Sequence, residues 1–175
     1  MKNLYNLIRI FFLLLFTYSC SSLPGINEEP KEQRKSKADV NNNTINELIK
    51  NNQIPVVAPL GLDKNDQAYN INGDTAAGAI AKSLKSRRLL LMTNVEGVLD
   101  KEKKLIEEIS SSEILKMIQD NTITEGMIPK INTCLDSVNN GVTAVGIIDG
   151  RKKHSILFEI FSDKGSGTLI RKWKI

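Results

Sequence analysis

Three unbroken apolar runs constrain the fold more than any other feature: residues 53–60 (QIPVVAPL), 88–93 (RLLLMT) and 143–148 (TAVGII). None alternates with polar residues, as a strand does when one face meets water. Such runs belong in a sheet buried on both faces, which is characteristically a mostly parallel sheet. The segments between them have the spacing of covering helices, as at 44–51, where Ile45, Leu48 and Ile49 share one face. Helices are also predicted over 74–86, 113–119, 127–138 and 153–161, a hairpin tip at 63–67 (DKNDQ), and a last short strand over 168–171. Strand and helix in alternation predict an α/β fold with helices on both faces of the sheet.

Aromatic residues are only 5% of the chain, so the core is built from Ile, Leu, Val and Ala. The net charge of +4 sits largely in 31–37 and 171–174, with no basic face interleaved with aromatics, so nucleic acid is not an expected partner. Cys20 and Cys134 lie in unrelated contexts and the chain has a single histidine, so neither a disulfide framework nor a zinc site is expected.

The first 22 residues read differently from the rest. Lys2 and Arg9 precede an apolar stretch over 10–16, and small polar residues surround Cys20. That is the plan of a secretory signal, with Cys20 as a lipidation position and residues 1–22 as a membrane contact. An uncleaved apolar anchor is the alternative. Residues 23–39 mix charges with Pro24 and Pro30 and have little to bury, which predicts a disordered linker. The globular part is expected over 40–175.

Ligands of parallel sheets sit at the carboxyl ends of the strands. Three polar segments are expected to gather there. In the first, Asn70, Asn72, Gly73 and Asp74 crowd a helix start. Part of this is helix capping and a tight turn, while a helix N-terminus also suits an anion. In the second, 93–99 (TNVEGVL), Gly97 leaves amides exposed after a buried strand. In the third, 122–130 (TITEGMIPK), Gly126 permits close backbone approach. Lys130 sits there in the first turn of a helix, where the dipole disfavours a cation. It is either a solvated lysine or a point charge for a phosphate in transfer. The chain has no GxxxxGK[ST] run and is not a P-loop protein.

The segments IPVVAPLG, YNINGDTAAGAIAKSL, LLLMTNVEGVLD, ITEGMIPKINTCLDSVNNGV and IIDGRKKHSILFEIFSDKGSGTLI, taken in order, resemble the acetylglutamate kinases of the amino-acid kinase family. The resemblance runs from about Val40 to Ile170. It implies an αβα three-layer sandwich and phosphorylation of the γ-carboxylate of N-acetyl-L-glutamate by ATP with Mg2+, a cytoplasmic step of arginine biosynthesis. It implies Lys130 and Asp74 as catalytic residues, and Asn70 and Asn72 as substrate-binding ones. It implies Thr93, Asn94, Val95, Glu96, Gly97, Val98, Thr122, Ile123, Thr124 and Gly126 as the nucleotide-binding set, with no direct protein ligand to a metal. His154, Glu159 and Gly165 lie in a stretch similar to that of arginine-sensitive, oligomeric members, so an effector region and a homo-oligomer are implied there.

The family's first half, with its Lys-Gly-Gly strand and Gly-rich substrate loop, has no counterpart in this sequence. The chain therefore reads as the ATP-binding part behind a lipoprotein-like leader, with turnover impaired. A non-catalytic nucleotide-binding remnant and a membrane-anchored chimera are the alternatives.

Overall fold

The computed structural model describes residues 27–28, 40–123, 126–163 and 165–173. The main sheet has the strand order β4-β6-β7-β5, formed by β4 (Arg88–Thr93), β5 (Glu108–Ser110), β6 (Ala144–Asp149) and β7 (Gly167–Arg171). β4 runs parallel to β6 and β5 parallel to β7, while β6 and β7 are antiparallel. The predicted α/β class and mostly parallel sheet both hold. Every residue of β6 is buried, which accounts for its all-apolar sequence up to Asp149.

Helices cover both faces of this sheet. On one face α2 (Gly73–Ser83) packs beside α4 (Ile128–Asn139), and Ala77, Ala81, Ile131, Cys134 and Val138 close over Leu89, Leu91, Val145 and Ile147. The helices lie close: a Cβ on Gly78 would stand 2.9 Å from the Thr133 methyl. A Lys82–Asp136 ion pair also joins them. On the other face α5 (Ser155–Phe161) approaches Gly146 through Glu159. Helix α3 (Ser111–Gln119) adds Ile114, and α1 (Asn42–Lys50) buries Ile45.

A capping box starts α3. The Ser110 hydroxyl oxygen accepts from the Glu113 amide at 3.3 Å, and the Glu113 carboxylate accepts from the Ser110 amide at 2.9 Å. Ser110→Ala is expected to cost about 1 kcal/mol, read as a lowered urea midpoint with an unchanged slope.

Two points differ from expectation. Residues 53–60 do not form a buried strand. Pro55 and Pro59 have no amide hydrogen to donate to a ladder, and Ile54 and Val56 are 82% and 88% exposed. Only Leu60–Leu62 (β2) pairs, antiparallel to β3 (Ala68–Asn70), with the predicted turn between them. Second, Glu108–Ser110, where no strand is predicted, forms β5, whose short charged sequence resembles a loop. Within the stretch expected to be a linker, Asn27–Glu28 (β1) pairs in parallel with Tyr69 and Asn70 of β3. The rest of that linker, the apolar leader and Cys20 lie outside the described residues.

Candidate active site

The closest meeting of predicted site residues lies where α2 and α4 begin. Asn72 caps α2, its amide oxygen accepting from the Thr75 N–H at 3.1 Å. Asp74 therefore stands in the first helical turn, where a carboxylate is favoured. Helix α4 opens on Met127 with no side-chain cap, and Pro129 lies near its start. Among the described residues no side chain caps its first amides. Lys130 stands in that turn, and its ammonium donates to the Asp74 carboxylate at 2.5 Å. The two side chains are 16% and 19% exposed. Asp74 compensates the unfavourable dipole at Lys130, and the pair brings two helix N-termini and a cation together at one place.

Asn70 ends β3 and is exposed, two residues before the cap. Asn72 is exposed too, but its amide oxygen is already engaged in capping.

The second predicted segment follows β4. Thr93 pairs in register with Asp149 at the carboxyl ends of β4 and β6, and the Gly150 amide donates to the Thr93 carbonyl at 2.8 Å. Asn94 is exposed and Val95 half-buried, and Glu96 faces Lys152 at 3.5 Å. Gly97 has φ +148, and a Cβ there would meet the Thr168 hydroxyl at 2.5 Å, so this glycine is required by the packing of the loop. The Val98 amide donates to that hydroxyl at 2.8 Å.

The third segment is brought in only partly. The Thr122 and Ile123 amides close the end of α3 on the Met117 carbonyl, and the Ile123 side chain is in the core. The Thr122 hydroxyl donates to Asp120, which with Lys101 holds that carboxyl at about 2. Gly126 is exposed with open space where a Cβ would be. Thr124 lies outside the described residues.

His154 is exposed, in left-handed conformation, ahead of α5. Glu159 and Gly165 do meet: Gly165 leaves no room for a Cβ against the Glu159 carboxylate. That carboxylate accepts from the Ser166 amide at 2.9 Å and faces the Arg88 guanidinium at 3.5 Å. On the exposed side of α5, His154, Leu157, Phe158, Phe161 and Ser162 line an open depression of about 420 Å³.

Sequence reasoning singled out nothing at Asp149, which ends β6. The signal was its place at the carboxyl end of the central strand. Asp149 is buried, and Arg151 donates to both its carboxylate oxygens at 2.9 Å. The Arg151 side chain and then its amide hold the Asp149 carboxyl at about 2, below the ordinary 3.8. A carboxyl with a lowered native value stabilises the fold fully above its unfolded value and loses that contribution as pH falls towards the native one. Asp149→Asn is therefore expected to be less stable than the parent at neutral pH. The gap should close between about pH 4 and pH 2, measured as melting temperature against pH.

The sequence profile of the Amino acid kinase family matches residues 14–149. Acetylglutamate kinase from Pelagibacter ubique (strain HTCC1062) is 60% identical over 133 residues, which are 76% of this chain and 46% of that protein. The chain spans less than half the length of the curated relatives it matches. Among solved structures, N-acetylglutamate synthase from Neisseria gonorrhoeae, complexed with coenzyme A and L-arginine, superimposes with a TM-score of 0.73 at 24% identity. That match covers 78% of this chain and 32% of the synthase. Giardia carbamate kinase matches with a TM-score of 0.58 at 26% identity, over 74% of this chain and 47% of its own.

Proposed function

Because this chain belongs to the amino acid kinase family, we propose that it carries the ATP-binding part of an acetylglutamate kinase, spanning residues 40–175. The reaction is phosphoryl transfer from MgATP to the γ-carboxylate of N-acetyl-L-glutamate, a step of arginine biosynthesis. The Lys130–Asp74 pair supports this reading most. Phosphoryl transfer asks a protein chiefly for positioning and positive charge. Lys130 supplies the charge, and Asp74 fixes where its ammonium points. The uncapped amides at the start of α4 add donors for an anion.

ATP supplies the phosphoryl group, and Thr93, Asn94, Val95, Glu96, Gly97 and Val98, with Thr122, Ile123, Thr124 and Gly126, form the nucleotide side. Asn70 and Asn72 form the acceptor side, with Asn70 the freer of the two. Among the described residues no three acidic, His or Cys side chains gather as a metal cage. Mg2+ would then be carried by the nucleotide's phosphates and its own waters, as that ion commonly is.

His154, Glu159 and Gly165 are the proposed arginine-effector region. An effector would have to compete with Arg88 and the Ser166 amide for the Glu159 carboxylate. No helix among the described residues is long and apolar enough to cross a membrane. We place the kinase reading in the cytoplasm. Lipid attachment through Cys20 is the competing location, decided by membrane fractionation and the mass of the N-terminal peptide.

A second reading is nucleotide binding without turnover. It applies to the matched part taken alone, 46% of the Pelagibacter protein's length, because a site without its full set of positioning groups loses many orders of magnitude in rate. The deciding experiment is calorimetric titration of the full chain with MgATP, followed by ADP release with N-acetyl-L-glutamate. Both are run with and without the part of the Pelagibacter protein outside the match. ADP release that depends on the acceptor establishes the kinase reading. Binding without release in any combination favours the second, and no nucleotide binding in any combination overturns both.

A further inference from the structure

We propose that Arg151 is a nucleotide-binding residue, its guanidinium set by Asp149 to meet the phosphates of a nucleoside polyphosphate at the carboxyl edge of the sheet. The inference deepens the ATP reading above and rests on it.

Placement comes first. Helix α4 packs on β6. It ends at Asn139 and β6 begins at Ala144, so its last turn lies at the amino end of that strand. The 12 residues of α4 run back about 18 Å, and the 6 of β6 advance about 20 Å. The first turn of α4, with Lys130, therefore stands at the same edge as Asp149 and Arg151. The second predicted segment borders that edge too. The Gly150 amide is bonded to the Thr93 carbonyl, and Lys152 reaches Glu96.

The turn after β6 holds more charge than a turn needs. Asp149 Oδ1 accepts from the Arg151 amide at 2.9 Å, a bond that an asparagine or serine would also make. The carboxylate adds a grip on the guanidinium: Nε donates to Oδ1 and Nη2 to Oδ2, both at 2.9 Å. An ionised group is costly to bury, yet the Asp149 side chain is 4% exposed and the Arg151 side chain 65%. The acid lies inside and the cation outside, held along one edge of its plane. Among the described residues nothing is bonded to its Nη1, so donors remain open to a ligand. A guanidinium fixed in this way has already lost its rotamer freedom, and its planar fork suits phosphate oxygens.

The neighbours point to a ligand with several charges. Lys130, Arg151 and Lys152 are each held by one carboxylate, from Asp74, Asp149 and Glu96 in turn. Cations oriented before their ligand arrives, and spread along one edge, suit an anion whose charge is spread as well. A polyphosphate is such an anion.

The test is titration calorimetry of the full chain with MgATP, then displacement of ATP by ADP, AMP and adenosine. The rest of the Pelagibacter protein is added if the parent binds only in its presence. Arg151→Ala is expected to weaken ATP roughly tenfold or more, ADP less, and adenosine not at all. Arg151→Lys should recover part of that loss. Asp149→Asn keeps the turn but frees the guanidinium, and should weaken ATP roughly two- to tenfold. Arg151→Ala leaves the buried Asp149 carboxylate without its partner and is expected to melt early. The double variant, Asp149→Asn with Arg151→Ala, removes that charge. Its melting temperature should rise above that of Arg151→Ala while its ATP affinity stays low. An equal loss for adenosine and ATP, or affinity that returns with stability in the double variant, makes the pair a plain turn clasp and overturns the proposal. Unchanged ATP affinity in Arg151→Ala overturns it as well. A parent that binds no nucleotide under either condition overturns the ATP reading and this inference together, a result distinct from a parent that binds and variants that match it.

Discussion

Lys130→Ala is expected to slow ADP release by roughly 10²–10³-fold, about 3–4 kcal/mol of transition-state stabilisation. The measurement uses the full chain with MgATP, N-acetyl-L-glutamate and the complementary half present. The ammonium is held at 2.5 Å from Asp74 and is largely enclosed, so its charge is already oriented before any phosphate arrives. A preorganised charge in a partly dry site is worth more than a mobile lysine in water. Lys130→Arg keeps the charge but presents a planar fork in place of a point, so only partial recovery is expected. Nucleotide affinity should change less than rate, because the charge acts most strongly on the group in transfer. Equal losses in affinity and rate would make Lys130 a simple nucleotide anchor. An unchanged rate would return it to the surface lysine its composition alone suggests.

Gly167→Ala is expected to be the most damaging single-methyl change, costing about 3 kcal/mol or more. A Cβ at this position would collide with the Ile147 carbonyl oxygen and stand 3.0 Å from the Ile148 Cα. The obstacle is the backbone of β6, the most enclosed strand, so no side-chain rotation relieves it. Either the β6–β7 ladder opens or the helices packed on it shift. For a domain with only 5–15 kcal/mol of stability in all, that is a large fraction. Gly126→Ala, with nothing within 4 Å of its Cβ, is the matched control and should leave the urea midpoint nearly unchanged. If both variants unfold at the parent's midpoint, the close approach of β7 to β6 is not as described.

The parts of this fold that sequence reveals are those whose physics is local or uniform. β4 and β6 stand out because burial on both faces demands consecutive Leu, Ile and Val. Helices α2 and α4 stand out through their spacing and the Asn-Gly-Asp start of α2. Residues 53–60 are as unbroken an apolar run as β4, yet Pro55 and Pro59 interrupt their amides and they make no ladder among the described residues before Leu60. An apolar run states a need for cover and cannot state whether the cover is present. β5 escapes notice because an edge strand of three residues has a glutamate and a serine in a sequence that reads as a turn. At the site, spacing left Lys130 open between surface and function. Only the resemblance singled it out, and 56 residues separate it from the Asp74 it meets. Asp149 was passed over because a carboxylate ahead of glycine reads as a turn, and the arginine that holds it acts through space.

The tether between Val98 and Thr168 has a further consequence, for the order in which the protein is made. The two residues are 70 positions apart, and the strand that carries Thr168 enters the sheet between β6 and β5, inside its breadth. During synthesis the loop after β4 emerges early but has no hydroxyl to receive its amide until Thr168, 70 positions later, has also left the ribosome. Until then β5 lacks its neighbour and β6 has one open side. Closure of the sheet and fixing of the loop thus become a single late event, with the long-range pairing that slows folding. A ribosome stalled before residue 167 would hold a chain whose loop still waits for its anchor.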